Sequence, residues 1–314
     1  MISVKNLTKK FANVEALKGI SFTINKGEIY GLLGPNGAGK TTTIGIISTL
    51  TQPDAGEVFL NGLTLPKDAE KIKRIIGVVP QEIALYQELS AYDNLIFWGS
   101  LYDLPKDKLQ TKADEILKLV GLFDRKNDKI KTYSGGMKRR INIASALLHS
   151  PEIIFMDEPT VGIDPQSRNL IYEVIEKLNK EGITIVYTTH YMEEAERLCK
   201  RIGIIDNGKI IAEGTLEELR NSGGARQSIA IKFSSQLSES IVEKFVNEEK
   251  SEVPGANIIF KDQELKYVSN DIKKDLMRLL NRLSKSEIEI SHVDIQRPTL
   301  ESIFLNLTGK ELRD

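Results

Sequence analysis

Short apolar runs alternate with longer amphipathic stretches along the chain to about residue 220, and glycine and proline separate them. Strands that are buried on both faces of a parallel sheet are nearly continuous apolar runs, whereas half-buried strands alternate. Helical patterns follow several of these runs, as in a sheet covered by helices on both faces. We therefore predict an α/β unit with buried strands at Ile29–Leu33, Ile75–Val79, Ile153–Met156, Thr184–Thr188 and Ile202–Ile205.

The segment from Ser90 to Lys118 interrupts this alternation, because it carries helical patterns only. We predict a helical subdomain over about residues 85–140, inserted into the α/β unit. A stripe around its tryptophan belongs either to an internal core or to a surface where a partner docks. Apolar residues at helical spacing form this stripe, namely Leu95, Trp98, Leu101 and Tyr102.

The composition changes beyond residue 221. Of the 23 glycines, only Gly223, Gly224, Gly255 and Gly309 lie there. The string N-S-G-G-A-R at Asn221–Arg226 has the composition of a flexible linker. We therefore predict two domains, 1–222 and 223–314.

The C-terminal segment repeats strands and helices in a second, smaller pattern. Its βαββαβ order is that of a ferredoxin-like unit, so we predict a small α+β domain. A last helix should begin after Thr299, whose hydroxyl can cap it, while Glu301 lies near its positive end. The predicted elements are strand Ser228–Ser234, helix Ser238–Lys250, strand Ala256–Lys261, strand Glu264–Ser269, helix Asp271–Ser284 and strand Glu287–Ile295.

Composition and charge exclude several classes of function. A formal net charge of −1 provides no basic field for nucleic acid. Cys199 is the only cysteine, which excludes an intrachain disulfide and favours a reducing compartment. The segment Met1–Phe11 lacks the apolar core of a signal peptide. The sequence also has no run of about 18 apolar residues, which is the length needed to span a bilayer. A role at a membrane would therefore need another chain that provides the span.

Positive charge is concentrated locally at two places. Lys138, Arg139 and Arg140 are consecutive, and a second group lies within Arg125–Lys131. Charge runs of this kind are usually solvated faces of helices and loops. We expect both groups to lie on the surface.

A phosphate-binding loop follows the first predicted strand. The string G-P-N-G-A-G-K-T has the G-x-x-x-x-G-K-[ST] pattern and precedes a plausible helix over Thr42–Leu50. Its backbone amides and the helix dipole can face phosphate, with Lys40 near the β- and γ-phosphates and Thr41 near Mg²⁺. The residues expected around the phosphates are Gly34, Pro35, Asn36, Gly37, Ala38, Gly39, Lys40, Thr41 and Thr42.

Two carboxylates end a later apolar strand, in the string I-I-F-M-D-E-P at Ile153–Pro159. An acidic pair at a strand end is a weak signal by itself, but it gains weight beside a phosphate loop. Asp157 is then expected in the magnesium shell, and Glu158 is expected to orient or deprotonate a water molecule.

These motifs, together with Y-S-G-G-M-K-R-R at Tyr133–Arg140, resemble the ATP-binding cassette (ABC) ATPases, the motor subunits of ABC transporters. The family signature is usually written L-S-G-G-Q, so Tyr133 and Met137 depart from it. The Ser-Gly-Gly that would contact phosphate is intact. The resemblance implies that Ser134, Gly135 and Gly136 bind nucleotide.

Further positions match the family in its order and spacing. Gln81 resembles the glutamine that binds magnesium and senses the helical subdomain. His190 resembles the switch histidine at the γ-phosphate, so Glu158, His190 and Gln81 are the expected catalytic residues. Asp164 ends a V-G-I-D string where the family has its D-loop, and Phe11 lies where an aromatic ring meets adenine.

The resemblance implies a P-loop cassette that works as a dimer. Two copies would sandwich two ATP molecules, each between the phosphate loop of one chain and Ser134 and Gly136 of the other. The segment His292–Gly309 resembles the ending of ABC-2 exporter ATPases, for which a separate integral membrane permease forms the channel. The implied place is the cytoplasmic face of the membrane, with ATP and Mg²⁺ as cofactors and without nucleic acid. The cargo stays open.

Three alternatives are weighed against this exporter hypothesis. A soluble ABC ATPase of translation usually carries two cassettes, and this chain has one phosphate loop. A DNA-repair ATPase would split its cassette with a long heptad coiled coil, which the sequence lacks. A catalytically inactive cassette would not need Lys40, Asp157, Glu158 and His190 intact. The tail beyond residue 222 has no clustered metal-type ligands, so we expect it to regulate or assemble rather than to catalyse.

Overall fold

A computed structural model describes residues 1–222, 227–235, 237–253, 257–269, 271–285 and 288–309 of the chain. Contacts divide the chain into two units, Met1–Leu216 and a second unit that begins at Glu217. The domain boundary predicted after residue 222 stays a prediction. Asn221 and Ser222 of the predicted linker end a helix, and 223–226 lie outside the described residues.

Ten strands and seven α-helices make up the described part of the first unit. Two short 3₁₀ helices, Phe123–Arg125 and Ile130–Thr132, lie between the fourth and fifth α-helices. The strands are β1 Ile2–Phe11, β2 Val14–Ile24, β3 Ile29–Leu33, β4 Ala55–Leu60, β5 Leu63–Leu65, β6 Ile76–Val79, β7 Ile153–Asp157, β8 Thr184–Thr189, β9 Arg201–Asp206 and β10 Lys209–Gly214. The helices are α1 Lys40–Ile47, α2 Ala69–Ile75, α3 Ala91–Ser100, α4 Lys106–Leu119, α5 Gly135–Ser145, α6 Pro165–Lys180 and α7 Met192–Leu198.

The predicted apolar strands form five of the six strands of a sheet with the order β10-β9-β3-β8-β7-β6. Neighbours from β9 to β6 pair in parallel, and β10 pairs antiparallel with β9. Every residue of β3, β7 and β8 is buried, as continuous apolar runs predict. The predicted α/β fold is confirmed, and α1 begins at Lys40 rather than Thr42.

A second, antiparallel sheet was not predicted. Its order is β2-β1-β4-β5, and it packs its apolar side into the main core of the unit. The signal was present as alternation, because Ile20, Phe22 and Ile24 are buried while the residues between them are exposed. This period of two marks a half-buried strand.

The helical insert consists of α3, α4, the two 3₁₀ helices and the start of α5. Ser90 caps α3 by accepting a hydrogen bond from the amide of Asp93 at 3.0 Å. The predicted apolar stripe is graded in exposure, because Leu95 is fully buried, Trp98 is partly buried and Leu101 is 61% exposed. The stripe therefore begins in the core and reaches the surface at Leu101, whereas its last member, Tyr102, is partly buried.

The second unit has the predicted ferredoxin-like topology. In its described ranges, four strands lie in the order β12-β13-β11-β14, and all neighbouring pairs are antiparallel. Thr299 caps the last helix by accepting from the amide of Ser302, as predicted. The elements are α8 Leu216–Ser222, β11 Ser228–Phe233, α9 Glu239–Glu252, β12 Asn257–Lys261, β13 Glu264–Val268, α10 Ile272–Lys285, β14 Ile290–Gln296 and α11 Leu300–Thr308.

Within the described ranges, no helix is both long enough and apolar enough to cross a lipid bilayer.

Candidate functional site

The phosphate loop connects β3 to α1 at the carboxyl edge of the central sheet. Gly39 adopts a left-handed φ of 112° immediately before the helix, which favours glycine. A Cβ at Gly34 would lie 2.2 Å from the carbonyl oxygen of Ile205. These two positions therefore require glycine, and the loop leaves the amides at the start of α1 directed toward the space above the sheet.

Lys40 is buried at the start of α1. Its ammonium donates to the carbonyl oxygens of Gly34 at 2.7 Å and Pro35 at 3.1 Å. The same nitrogen lies 3.0 Å from Oε1 of Glu158. The cation is therefore held by the loop and by the carboxylate that directly follows β7.

Glu158 directly follows β7 and contacts both the start of α1 and the end of β8. Its φ of 45° is left-handed, an uncommon conformation for a non-glycine residue, and its amide donates to the Thr188 hydroxyl at 3.0 Å. Oε2 lies 3.2 Å from Nδ1 of His190. Burial raises the pKa of Glu158, but Lys40 and then His190 outweigh burial and leave that pKa below its ordinary value. Glu158 is therefore ionised at neutral pH.

Asp157 lies next to Glu158 in a different environment. Its side chain is buried, and Oδ1 accepts a 2.5 Å hydrogen bond from the Thr188 hydroxyl. Because β7 and β8 run parallel and pair Asp157 with Thr188, one threonine contacts both acidic residues. This shared contact ties the Asp157 carboxylate and the Glu158 backbone to β8.

These elements border an open cleft of about 930 Å³. Nine predicted site residues line it, and they combine cationic, anionic and amide groups suited to a phosphate-bearing ligand. The nine are Asn36, Gly37, Gly39, Lys40, Thr41, Thr42, Gln81, Glu158 and His190.

Several residues at the cleft were missed by the sequence analysis. Most belong to the β1–β2 hairpin, which went unrecognised together with its sheet. Phe11 ends β1, is 48% exposed, and precedes residues that line the cleft. The alternating pattern of β2 was the available signal. The missed lining residues are Lys10, Asn13, Val14, Glu15, Ala16, Lys18, Val161 and Asn207.

The signature residues form a second group, on helix starts rather than in the cleft lining. Ser134 is exposed and caps α5 by accepting from the amide of Met137 at 3.3 Å. Asp164 is exposed and caps α6 by accepting from the amide of Ser167 at 2.9 Å. A Cβ added at Gly136 would lie 2.3 Å from Oγ of Ser167, which leaves no room for a side chain there. The starts of α5 and α6 are therefore in close contact.

The two departures from the usual signature converge on Arg125. The Tyr133 hydroxyl donates to the carbonyl oxygen of Arg125 at 2.6 Å, and the guanidinium lies 5.4 Å from the centre of the tyrosine ring. Nη1 of Arg125 lies 3.7 Å from Sδ of Met137. Tyrosine and methionine are thus accommodated without displacing Ser134 from its capping position.

Arg139 and Arg140 are buried, so the prediction that this cluster lies on the surface is wrong for both. Arg139 donates to the carbonyl oxygens of Pro80 and Gln81 at 2.7 and 2.5 Å. Arg140 donates to the carbonyl oxygen of Val120 at 2.6 Å. Backbone carbonyls replace water around these cations, and Arg139 thereby ties the Gln81 segment to α5.

Together, the phosphate loop, the acidic strand end and the helical insert define a nucleotide-binding cassette. The family model for the ABC transporter matches residues 17–161. The linearmycin resistance ATP-binding protein LnrL of Bacillus subtilis is 46% identical over 316 residues, and the match covers all of both chains. The Nod factor export ATP-binding protein I of Ralstonia nicotianae is 34% identical over all of this chain and 95% of its own.

A solved structure agrees with these relatives. The dimeric post-hydrolysis state of the ATP-binding cassette MJ0796, bound to ADP and Pi, is 32% identical. It covers 69% of this chain and 99% of its own chain, with a TM-score of 0.63. The chain belongs to the ATP-binding proteins of ABC transporters and is an ABC-type ATPase. The predicted family and activity are confirmed, and the comparisons favour a transporter over a soluble ABC ATPase. The roles of single residues stay predictions.

Proposed function

We propose that the chain is the ATP-hydrolysing subunit of an exporter, bound at the cytoplasmic face of the membrane to a separate integral membrane permease. The names of full-length relatives, which refer to drug resistance and Nod factor export, support export as the direction. Substrate choice would then rest largely with the permease. The cargo class is a small molecule, an ion or a lipid-like compound.

The contact between Lys40, Glu158 and His190 carries the proposed chemistry. Lys40 would bind the β- and γ-phosphates, because its ammonium already lies at the start of α1 among the loop carbonyls. Glu158, ionised and bordering the cleft, would orient or deprotonate the attacking water. His190, 3.2 Å away from that carboxylate, would contact the γ-phosphate.

The residues at the cleft suit Mg²⁺, which prefers hard oxygen ligands and usually keeps several waters. Thr41, which carries a hydroxyl, and Gln81, which carries an amide oxygen, both line the cleft, and Asp157 lies directly before Glu158 at the end of β7. These three residues would hold the ion, which when bound neutralises charge that develops on the phosphates. Phe11, exposed at the end of β1, would stack on adenine.

A second copy of the chain would complete each site. Ser134, Gly135, Gly136 and Asp164 lie at two helix starts and outside the lining of the cleft. Helix starts favour anions, and the exposed hydroxyl of Ser134, which acts only as an acceptor when it caps α5, can donate its proton to a phosphate outside its own chain. A dimer with two composite sites uses these groups, and ATP would hold the two chains together.

The permease would dock at a groove of about 410 Å³ beside the helical insert. Trp98, Leu101 and Tyr102 line this groove together with charged residues of α2, among them Lys73 and Arg74. Adding the permease or ATP should change the fluorescence of Trp98, the only tryptophan. Unchanged emission and quenching would place the docking surface elsewhere.

Substituting Glu158→Gln tests the chemistry. Hydrolysis should slow by about 10²-fold or more, because the amide cannot accept the proton of water. ATP binding should persist and trap the dimer. The matched control is Glu193→Gln, which makes the same change at an exposed position near His190 and should hydrolyse ATP normally. Wild-type turnover in Glu158→Gln would refute the assignment.

A further inference from the structure

A buried carboxylate lies behind the proposed catalytic residues. Glu194, on α7, is only 2% exposed. Its two oxygens accept four hydrogen bonds from four hydroxyl groups, two on each oxygen. The donors are Thr160 at 2.6 Å and Tyr172 at 2.9 Å on Oε1, and Tyr187 at 2.9 Å and Thr189 at 2.8 Å on Oε2.

Two of these donors adjoin the proposed catalytic residues in the chain. Thr160 follows Glu158 by two positions, and Thr189 directly precedes His190. The Thr189 hydroxyl also accepts from the amide of Tyr191 at 2.9 Å, so contacts of this group lie on both sides of the histidine. One carboxylate thus joins the segment that carries Glu158 to the segment that carries His190.

Such an arrangement is costly unless the charge is well compensated. A buried carboxylate without partners is strongly destabilising, and charge-assisted hydrogen bonds offset that cost. The nearby cation, Arg168, brings Nε only to 3.8 Å from Oε1. Burial, followed by the charge of Glu194, raises the pKa of Tyr172 and of Tyr187, so both hydroxyls stay protonated and can donate.

We infer that Glu194 is a positioning residue that fixes Glu158 and His190 relative to each other through Thr160 and Thr189. Neither Glu194 nor the two threonines line the cleft, so the effect is on geometry rather than on contact with nucleotide. The inference rests on the proposed roles of Glu158 and His190. Small displacements of reacting groups slow catalysis strongly. Loss of this buried network should therefore lower the rate of hydrolysis.

The substitution Glu194→Gln tests the inference in the full-length chain. The amide keeps one accepting oxygen, and its NH₂ group faces two hydroxyls that need an acceptor. We expect kcat for ATP hydrolysis to fall by about tenfold to a hundredfold, with KM and equilibrium ATP binding unchanged. A loss of stability alone would lower the folded fraction but not kcat per folded molecule.

The matched control is Glu213→Gln. Glu213 is partly buried, and it accepts a 2.6 Å hydrogen bond from Arg201 between β9 and β10, outside the lining of the cleft. Its substitution should leave kcat unchanged even where the melting temperature falls. Equal kcat values for the wild type and Glu194→Gln, per folded molecule, would overturn the inference.

A second pair of variants covers the case in which Glu194→Gln does not fold. Thr160→Ser keeps the hydroxyl and should retain kcat, whereas Thr160→Val removes it and should lower kcat without changing KM. Where both single variants fold, Thr160→Val and Glu194→Gln should combine non-additively, because they act through one contact. Equal kcat in the Ser and Val variants would contradict the inference. Full hydrolysis by Glu158→Gln would instead show that the proposed function is wrong.

Discussion

Glu158 in the first unit and Glu249 in the second are both buried carboxylates, and each has two basic side chains beside it. Glu158 lies 3.0 Å from the Lys40 ammonium and 3.2 Å from Nδ1 of His190. Glu249 is fully buried on α9, with Arg282 of α10 at 2.7 Å and Arg278 at 3.3 Å. By burial and pairing alone the two sites are nearly equivalent.

Their surroundings separate them. Glu158 borders an open cleft and adopts a left-handed φ, which is the kind of strain that collects at functional sites. Its pKa is lowered by its partners. Glu249 lies between two helices, and burial raises its pKa despite both arginines. A buried ion pair therefore indicates function only where a ligand can reach it, and elsewhere it joins structural elements.

The largest expected effect comes from breaking the Glu158 site on its cationic side. Lys40→Ala and Ser134→Arg should each lower ATP hydrolysis by about 10²-fold or more. The first substitution removes an electrostatic contact to phosphate, and the second puts a bulky side chain where the partner's nucleotide would meet the Ser134 hydroxyl. Mixing the two variants should restore activity, because one composite site in the mixed dimer carries neither substitution.

Titration of subunit ratio measures that restoration. Activity should peak at equal amounts of the two variants and fall to the background level with either one alone. If every mixture stays at the background of the single variants, the trans arrangement of Ser134 is wrong.

A smaller effect should separate the two carboxylates by their pH dependence. The folded-state pKa of Glu158 is lowered, so its contribution to stability is present above its ordinary value and is lost as pH falls through the folded value. The folded-state pKa of Glu249 is raised, so its contribution is fully present below its ordinary value and is lost as pH rises through the folded value.

Hydrogen exchange of α9 and α10 at a series of pH values measures the second effect. Glu249→Gln should flatten the pH dependence of protection in these helices and leave ATP hydrolysis unchanged. Glu264→Gln, a change at a partly exposed residue of β13, serves as the control. An altered turnover in Glu249→Gln would show that the two carboxylates are not separated in function.

The sequence predicted the elements whose patterns are local. Continuous apolar runs gave the strands of the parallel sheet, and the βαββαβ order gave the second unit. The antiparallel sheet of β1 and β2 was missed because its alternation was overlooked, and with it went Lys10 and Asn13 of the cleft.

Contacts between distant segments were beyond the sequence. In the sequence, Arg139 looks like an ordinary surface arginine. Only the fold shows that it donates to the carbonyl oxygens of Pro80 and Gln81. Glu194 likewise lies in a charged helical string, and its four hydroxyl donors come from separate places in the chain. The motif strings identified the groups at the cleft, whereas the supporting hydrogen bonds depend on how the strands are arranged.

The smallest effect on chemistry should follow removal of the second unit. A chain that ends after Ser222 keeps Phe11, Lys40, Gln81 and His190, so its ATP affinity should equal that of the full chain. Transport, or stability of the complex with the permease, should fall instead. Isothermal titration with a non-hydrolysable ATP analogue checks the affinity. A folded truncated chain that no longer binds would show that the tail helps to build the site.

The contact between Lys40 and Glu158 makes the carboxylate an internal competitor of ATP. An arriving phosphate must displace Oε1 of Glu158 and two loop carbonyls from the same ammonium. Every anion that enters the cleft, inorganic phosphate included, therefore competes with the Glu158 carboxylate for the Lys40 ammonium. Exchanging Glu158 for glutamine therefore removes a competitor for Lys40 as well as the proposed base. Part of the tight nucleotide binding expected of Glu158→Gln would then come from the loss of this competing carboxylate, and not only from slower hydrolysis.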